Sequence, residues 1–547
     1  MEREYIQPFF EDALSKLNVL DKVEIAFETP NNPEHGSLSC NIAMRLTKIL
    51  KKNPRQIAEE IVNTIYYNRK YVNNIEIAGP GFINIRFSNM FYTDSLKQIL
   101  LLGENYGKSK AGAGKKVNVE YVSANPTGLL HLGHGRNAAV GDTIANLYKW
   151  MGYNVTREYY FNNAGNQMQM LAKSIYARYM QLLGDEAFEF PENGYHGQYV
   201  YDIATELIKN YGDKLNSGTY QDLTLIKKHG ENWCFDKIRN TLKTMNIKQD
   251  IFFNEDILYK DGKIQEIIDE LKAKDLAYEK DGALWLSFTK LGLDDDRVIV
   301  KSSGEPTYRL PDIAYHREKF RRGYDIIIDI FGSDHVATVP DVLAGVKALG
   351  YDPGKVIVVV HQFVTLTENG EQVKMSKRSG KVYTLDELLE EVGADVVRFF
   401  LLMRNVNTHL EFDLALAREQ SEKNPVFYLQ YANARINSIF EKAKNEDIKF
   451  SDSVDLSLLN HPAEINLIKN LLMFPEKIKV ACTKAEPPIL TEYLRETAQA
   501  FHSFYHECRI IGEEEPLMQA RFKLAKATKT VIRNGLTILG VSAPDKM

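Results

Sequence analysis

Two short stretches carry residue types suited to handling phosphate. His131-Leu132-Gly133-His134-Gly135 stands where an apolar strand gives way to a helix, so the unpaired N–H groups of the first helical turn can receive negative charge. His131 and His134 are three apart, which at helical pitch puts both imidazoles on one side, while Gly133 and Gly135 remove side chains that would obstruct a nucleotide. A metal pair is the poorer reading, because helical histidine ligands usually stand at i, i+4 and need a third ligand from elsewhere. The second stretch, Lys374-Met375-Ser376-Lys377-Arg378-Ser379-Gly380, continues to Lys381 and puts Lys374, Lys377, Arg378 and Lys381 on a loop among small residues. Such a loop suits closing over phosphates and stabilising the charge that grows during displacement. Taken alone, it has a competing, less favoured reading as a basic surface loop.

The elements that must hold these motifs follow from periodicity. VNVEYVS reads as a strand, ANPTGLLHLGHG as a glycine-punctuated turn, and RNAAVGDTIANLYKWMG as a helix ending at Gly152. Strand-like segments resume at ALWLSF, RVIVKSS, YDIIIDIFG and KVIVVVHQFV, with the helix VPDVLAGVKALG between the last two. Alternation of this kind predicts a parallel, doubly wound sheet. Thr384 and Glu387 form a capping box for the helix after the basic loop. Residues 1 to about 105 read as a small α+β unit ending in the alternating run IEIAGPGFINIRF, and about Gln167 to Gly282 as a predominantly helical insertion. After Thr384 the chain reads as almost wholly helical, broken at Pro425 and Pro462. GKSKAGAGKK, Gly107 to Lys116, reads as a linker; it lacks the glycine spacing and the Ser or Thr of a Walker loop.

Bulk properties bound these readings. At 547 residues the chain exceeds one hydrophobic core, and a prior of one domain per ~150 residues suggests about three or four domains. No apolar stretch reaches the ~20 residues of a membrane-spanning helix, and the N-terminus MEREYIQPFFEDAL lacks the basic-then-apolar layout of a signal peptide. Cys40, Cys234, Cys482 and Cys508 are scattered, which suggests neither a disulfide framework nor a structural metal and fits a reducing cytoplasm. The net charge of -5 argues against a uniformly basic nucleic-acid binder, yet charge is locally concentrated. Lys48, Lys51, Lys52 and Arg55 form one basic run, and Arg521, Lys523, Lys526, Lys529 and Arg533 a second. The competing reading of each is a solvated helix face.

HLGH resembles the HIGH signature, and KMSK the second signature, of class I aminoacyl-tRNA synthetases. The resemblance implies adenylate formation: an amino-acid carboxylate attacks the α-phosphorus of ATP and pyrophosphate leaves, with ATP as substrate, Mg2+ accompanying it and no protein-bound structural metal. It implies that His131 and His134 stabilise the phosphates, that Lys377 with Lys374 neutralises pyrophosphate, and that Gly133, Gly135, Asp334, His335, Met375 and Ser376 contact ATP. A small-molecule adenylyltransferase with the same HxGH element has no use for the second motif and the long helical C-terminus, and a noncatalytic paralogue has no need of both intact motifs.

Almost the whole chain resembles the arginyl-tRNA synthetase family within that class. VEYVSANPTG is similar to a family segment and carries over Glu120, Ser123 and Asn125; PTYRLPDIAYHREKF carries over Tyr308 and Asp312, although Leu310-Pro311 departs from the usual pair before the aspartate. An arginine site needs carboxylates opposite a planar, permanent cation, a role the resemblance implies for Glu120 and Asp312. Ser123 and Asn125 are expected on the amino acid's backbone groups, and Tyr308 on the substrate. FGSDHVATVP, with Gly332 and Ser333, resembles a segment lining the pocket. The implied fold is a Rossmann-like parallel-sheet catalytic domain with a small α+β N-terminal domain and an all-α anticodon-binding domain. The implied division is 1–105 (RNA elbow-contacting), 106–166 and 283–383 (catalytic halves), 167–282 (insertion), 384–423 (helical stem-contact region) and 424–547 (anticodon-binding). Expected partners are tRNA(Arg), L-arginine and ATP, with no membrane and a monomeric state. The Arg521 to Arg533 run is expected on RNA phosphates, and Phe427, Tyr428 and Tyr431 offer either stacking faces or core packing.

Overall fold

A computed structural model describes residues 1–30, 32–373 and 383–547. Its centre is a five-stranded parallel sheet in the spatial order Val356–His361, Ile326–Gly332, Lys116–Glu120, Asn154–Phe161, Ile251–Asn254. The first strand in the chain thus lies in the middle, and the winding reverses between Lys116–Glu120 and Ile326–Gly332. In open sheets of this kind ligands bind outside the carboxyl ends of the strands at that reversal. Val117, Val119, Ile327 and Ile328 are fully buried, because helices cover both faces of a parallel sheet and leave no strand a solvated side.

The helix carrying the first motif runs Leu132–Trp150 and lies directly on the strand end that precedes it. A Cβ on Gly141 would come within 2.3 Å of Tyr121 Cβ, so only glycine permits this approach. Asn137, one turn into the helix, joins the two central strands from above: its amide nitrogen donates to Ile330 O at 2.8 Å and its oxygen accepts from Val122 N at 2.6 Å.

The peripheral strands differ from the sequence reading in three places. Ile251–Asn254, expected inside the helical insertion, is the edge strand of the central sheet. Its run IFFN is too short for periodicity to distinguish from a buried helix turn. ALWLSF and RVIVKSS do not enter the parallel sheet; Ala277–Lys280, Ala283–Leu286 and Arg297–Val300 form a separate antiparallel sheet. KVIVVVHQFVTLT is two strands, Val356–His361 in the central sheet and Val364–Glu368, which pairs in parallel with Leu410–Asp413. The helix VPDVLAGVKALG forms as expected over Val339–Ala348.

The N-terminal unit holds a four-stranded sheet in the order Phe27–Glu28, Leu38–Cys40, Phe82–Phe87, Val72–Ala78, the last two being the hairpin legible in IEIAGPGFINIRF. Its helix Asn89–Leu102 packs on Pro462–Leu472 and Glu515–Leu539 of the C-terminal bundle. In that bundle Pro425 and Pro462 are the first residues of the helices Pro425–Asn445 and Pro462–Leu472, where proline's missing N–H costs no helical bond. Thr384 caps Leu385–Val392: Glu387 N donates to Thr384 Oγ1 at 3.2 Å and Thr384 N to the Glu387 carboxylate at 2.6 Å. All four cysteines are buried and unbonded. Among the described residues no helix is long and apolar enough to cross a membrane.

Candidate active site

The crevice at the winding reversal has two ends of different chemistry, one of neutral imidazoles and one of acids. One end is the start of the Leu132–Trp150 helix. His131 is its N-cap; Nδ1 accepts from Gly133 N at 3.1 Å and His134 N at 3.4 Å, while His134 Nδ1 accepts from His131 N at 3.3 Å. The rings stack with centroids 3.7 Å apart. The expectation that the first-turn amides stand open is therefore corrected: the imidazole of His131 occupies two of them. Burial pushes His134 down to about 3, helped by His131 and His361, and lowers His131 against the pull of Asp334. Both rings are neutral near pH 7 and offer directed hydrogen bonds rather than charge.

Gly133 is tight against its own motif, since a Cβ there would lie 3.0 Å from His131 Cε1. Gly135 departs from expectation. It is buried, and a Cβ would come within 2.9 Å of Leu385 Cδ1, so its smallness serves helix packing rather than nucleotide approach. Asp334 and His335 follow the strand Ile326–Gly332 and are exposed at the mouth of the crevice, with Ser333 Oγ buried beside them and without a partner among the described residues. His361, paired in register with Gly332, closes the same end. The stretch Lys374 to Val382, which includes Lys374, Met375, Ser376 and Lys377, lies outside the described residues.

The other end is a floor of carboxylates. Glu120 ends the central strand and is buried with both oxygens engaged: Lys319 Nζ donates at 2.5 Å and Ser123 Oγ at 2.9 Å. Lys319 also donates to Asp329 at 2.6 Å, and Asp329 contacts His316 Nε2 at 2.8 Å, so a fully buried lysine is shared between two carboxylates under the sheet ends. Burial raises the Glu120 carboxyl despite Lys319, whereas Lys319 and His316 hold Asp329 below the ordinary range against its burial.

Asp312 lies in the first turn of the helix Arg309–Arg321. Burial, reinforced by the negative charges of Glu120 and Glu255, pushes its carboxyl up to about 7. Glu255 directly follows the edge strand Ile251–Asn254 and accepts from Tyr160 Oη at 2.7 Å and Asn162 Nδ2 at 2.8 Å. The structure thus brings Glu120 and Asp312 to one site, together with a third carboxylate that sequence reasoning missed. Its signal was an acid just beyond a strand, masked because that strand was assigned to the insertion. Leu310-Pro311 is accommodated: the helix begins at Arg309, so Pro311 falls in the first turn, where its missing N–H is harmless, and Leu310 is buried in the core. Tyr308 is 86% exposed ahead of that turn, away from any packed contact.

Ser123 and Asn125 build the turn between strand and helix. Val122 and Ser123 have φ of 70° and 45°, a left-handed conformation that costs free energy in a β-branched residue and marks strained functional turns. Ser123 Oγ accepts from Tyr160 N at 3.1 Å; Asn125 accepts from Asn162 N at 2.9 Å and donates to Gln167 at 2.9 Å.

The C-terminal basic run is only partly as expected. Arg521 is buried and bonded to Glu464 at 2.7 Å and Glu513 at 3.1 Å, so it holds helices together and is not available to phosphate. Lys529 and Arg533 approach Asp545 at 2.8 and 3.6 Å. Lys526 is exposed and Lys523 half-buried. Phe427, Tyr428 and Tyr431 are half-buried, with the Phe427 and Tyr431 rings nearly parallel and His502 facing Tyr431.

Sheet order, winding reversal and a histidine-capped helix start define a doubly wound nucleotide-handling enzyme core, and the family model for the class I (R) tRNA synthetase catalytic domain matches residues 95–409. Models for the arginyl tRNA synthetase N-terminal domain and the DALR anticodon binding domain match residues 4–87 and 429–547. The arginine–tRNA ligase of Salinibacter ruber is 49% identical over 98% of this chain and 98% of its own length. That of Chlorobaculum parvum is 45% identical over 100% of each. The Thermus thermophilus arginyl-tRNA synthetase structure superposes with a TM-score of 0.77 at 21% identity, covering 100% of both chains, a likeness of fold. The chain belongs to the arginyl-tRNA synthetase family.

Proposed function

We propose that the chain is an arginine–tRNA ligase whose crevice seats ATP and L-arginine end to end. It adenylates arginine, releases pyrophosphate, and transfers the arginyl group to the 3′ end of tRNA(Arg) with release of AMP. The observation that carries this reading is the polarity of the crevice: three acids, Glu120, Asp312 and Glu255, at one end against one shared lysine, and imidazoles at a helix start at the other. A guanidinium is held by carboxylates that present their oxygens to its planar fork and carry no other cation. Glu120 is already paired with the Lys319 cation, whereas Glu255 accepts from neutral donors, Tyr160 and Asn162 among them, so Asp312 and Glu255 are assigned to the guanidinium and Glu120, with Ser123 and Asn125, to the amino-acid backbone. Tyr308 closes over the arginine from the exposed rim.

The attacking carboxylate is ionised at neutral pH, so the reaction asks for positioning and charge stabilisation rather than a base. His131 and His134 donate to the phosphates, Gly133, Asp334 and His335 line the nucleotide, and Lys374, Met375, Ser376 and Lys377 fold over the departing pyrophosphate. Mg2+ would accompany ATP and offset phosphate charge. Lys523, Lys526, Lys529 and Arg533 contribute to RNA binding. The division is 1–105, 106–166, 167–282, 283–383, 384–423 and 424–547, with Ile251–Asn254 assigned to the catalytic fold. The enzyme acts as a monomer in the cytoplasm, consistent with buried, unbonded cysteines.

The test is pyrophosphate exchange with each of the twenty amino acids, with and without tRNA. Exchange with arginine alone among the amino acids, and only when tRNA is present, is expected. Exchange with an uncharged or acidic amino acid overturns the reading, and robust exchange without RNA removes its RNA dependence.

A further inference from the structure

The helix that starts the triphosphate end carries a cation with no counter-charge. Arg136 is fully buried, and its guanidinium donates to three backbone carbonyls: Gln362 O at 2.8 Å, Thr408 O at 2.9 Å and Asn405 O at 2.9 Å. Among the described residues its Nε has no partner. No carboxylate offsets it; burial alone acts on its ionisation, pulling it down to about 10, and the undescribed stretch Lys374 to Val382 contains no acid. Carbonyl dipoles satisfy the N–H groups but leave the net charge intact, and burying an unpaired cation is costly compared with an apolar side chain of similar size.

The position of the charge suggests what offsets that cost. Gln362 follows His361 at the end of the strand Val356–His361, and Asn405 and Thr408 form the turn leading into Leu410–Asp413. Arg136 therefore pins the first turns of the Leu132–Trp150 helix to the strand end that closes the crevice. Its charge bears on the crevice wall: His361 is pushed down to about 4 chiefly by burial, against the contact of its Nδ1 with Gln362 O at 3.3 Å, with Arg136 and His131 lowering it further and Asp334 acting in the opposite sense. The charged and titratable groups facing His361 are thus Arg136, His131, His134 and Asp334.

We infer that Arg136 is a positioning residue for the adenylation step, which fixes the height of the histidine-capped helix start and supplies a permanent positive charge behind the triphosphate seat. Negative charge concentrates on the phosphate oxygens as the α-phosphorus is attacked. A fixed cation set behind them stabilises that state without reorganising. The inference rests on the reading of this crevice as the adenylation site.

Two variants separate charge from clamp. Arg136→Met removes the charge and keeps the bulk; Arg136→Lys keeps the charge and loses the fork that holds three carbonyls. The first readout is the His361 titration in the nucleotide-free full chain by NMR with ring-labelled histidine, the signal assigned with His361→Asn. The second is arginine- and tRNA-dependent pyrophosphate exchange.

In Arg136→Met the His361 midpoint is expected to rise toward the ordinary histidine value. Turnover should fall by roughly 10- to 100-fold, less than the ~10²- to 10³-fold loss of a donor in direct contact with the developing charge, with the KM for arginine unchanged. Arg136→Lys should keep the low midpoint and recover much of the turnover. Wild-type midpoint and turnover in Arg136→Met, or equal impairment and equal midpoints in the two variants, would overturn the inference. If Arg136→Met does not fold, Arg136→Lys decides: a midpoint moved to the ordinary value, or turnover abolished, overturns it. Absence of arginine-dependent exchange in the wild type would instead overturn the proposed function, leaving the titration result standing.

Discussion

At the scale of single residues, the proposed function gives Asp312 and Glu255 the recognition of the guanidinium. Replacing Asp312 with Asn keeps the shape and removes a charge-assisted pair, worth about 1.5–3 kcal/mol. The KM for arginine is therefore expected to rise about 10- to 100-fold while the KM for ATP changes little; Glu255→Gln should behave alike, and steady-state exchange kinetics check both. Asp312 also predicts a pH dependence. Its carboxyl sits at about 7 in the empty enzyme, and a guanidinium binds the ionised form. Arginine affinity should therefore increase as pH rises through about 7, with proton release visible as buffer-dependent binding heats in calorimetry. The same shift has a stability sign. A carboxyl raised above its unfolded value of about 3.9 stabilises the fold at low pH and loses that contribution as pH rises toward its folded value. Denaturant midpoints of the empty enzyme should carry this falling component, and saturating arginine should remove it. Lys377→Ala is expected to lower the exchange rate far more than arginine affinity, because its contacts form mainly in the transition state; equal losses would count against that role.

At the scale of elements, the site depends on how strand ends and helix starts are stacked. Lys319 joins Glu120 to Asp329 with no solvent contact. Removing one partner of a buried ionic group strands the others, so Lys319→Met should cost roughly 3–5 kcal/mol, seen as a lowered Tm and denaturant midpoint. The motif strand, its turn and the helix after it were legible because glycine punctuation and a change of period from two to 3.6 coincide there. Glu255 was not legible, because four residues of strand within a largely helical stretch carry no period of their own. The packing role of Gly135 was equally hidden. Its neighbour Leu385 is distant in sequence, and a glycine beside two histidines reads the same whether it admits a nucleotide or a helix. Arg521 illustrates the limit for charge: a run without nearby acids looked free, yet Glu464 reaches it from another helix.

At the scale of the whole molecule, a buried polar junction ties the catalytic helix to distant parts of the chain. Arg398 is fully buried and donates to Asp142 on the Leu132–Trp150 helix at 2.6 Å, to Met245 O at the end of the helix Tyr220–Thr244 at 2.8 Å, and to Leu539 O at 2.9 Å. Gly540 ends the helix Glu515–Leu539 with φ of 69°, and a Cβ there would come within 2.3 Å of the Arg398 guanidinium. Gly540→Ala should therefore cost about 1–2 kcal/mol for the left-handed backbone alone, and more for the displaced arginine. Limited proteolysis should show a loosened C-terminal bundle, and exchange should slow although the site is untouched. This arrangement was invisible in the sequence, where Arg398 is an ordinary charge in an apolar helix.

The junction also bears on how the protein is made. Asn146 on the catalytic helix bonds Ile538 O across 392 residues, and Ser542 bonds Asp395. On a ribosome, the sheet, the crevice and both halves of the nucleotide seat emerge long before residues 538–542 arrive to satisfy Arg398 and Asn146. A nascent chain halted short of that point holds its chemistry assembled but its spine unlocked.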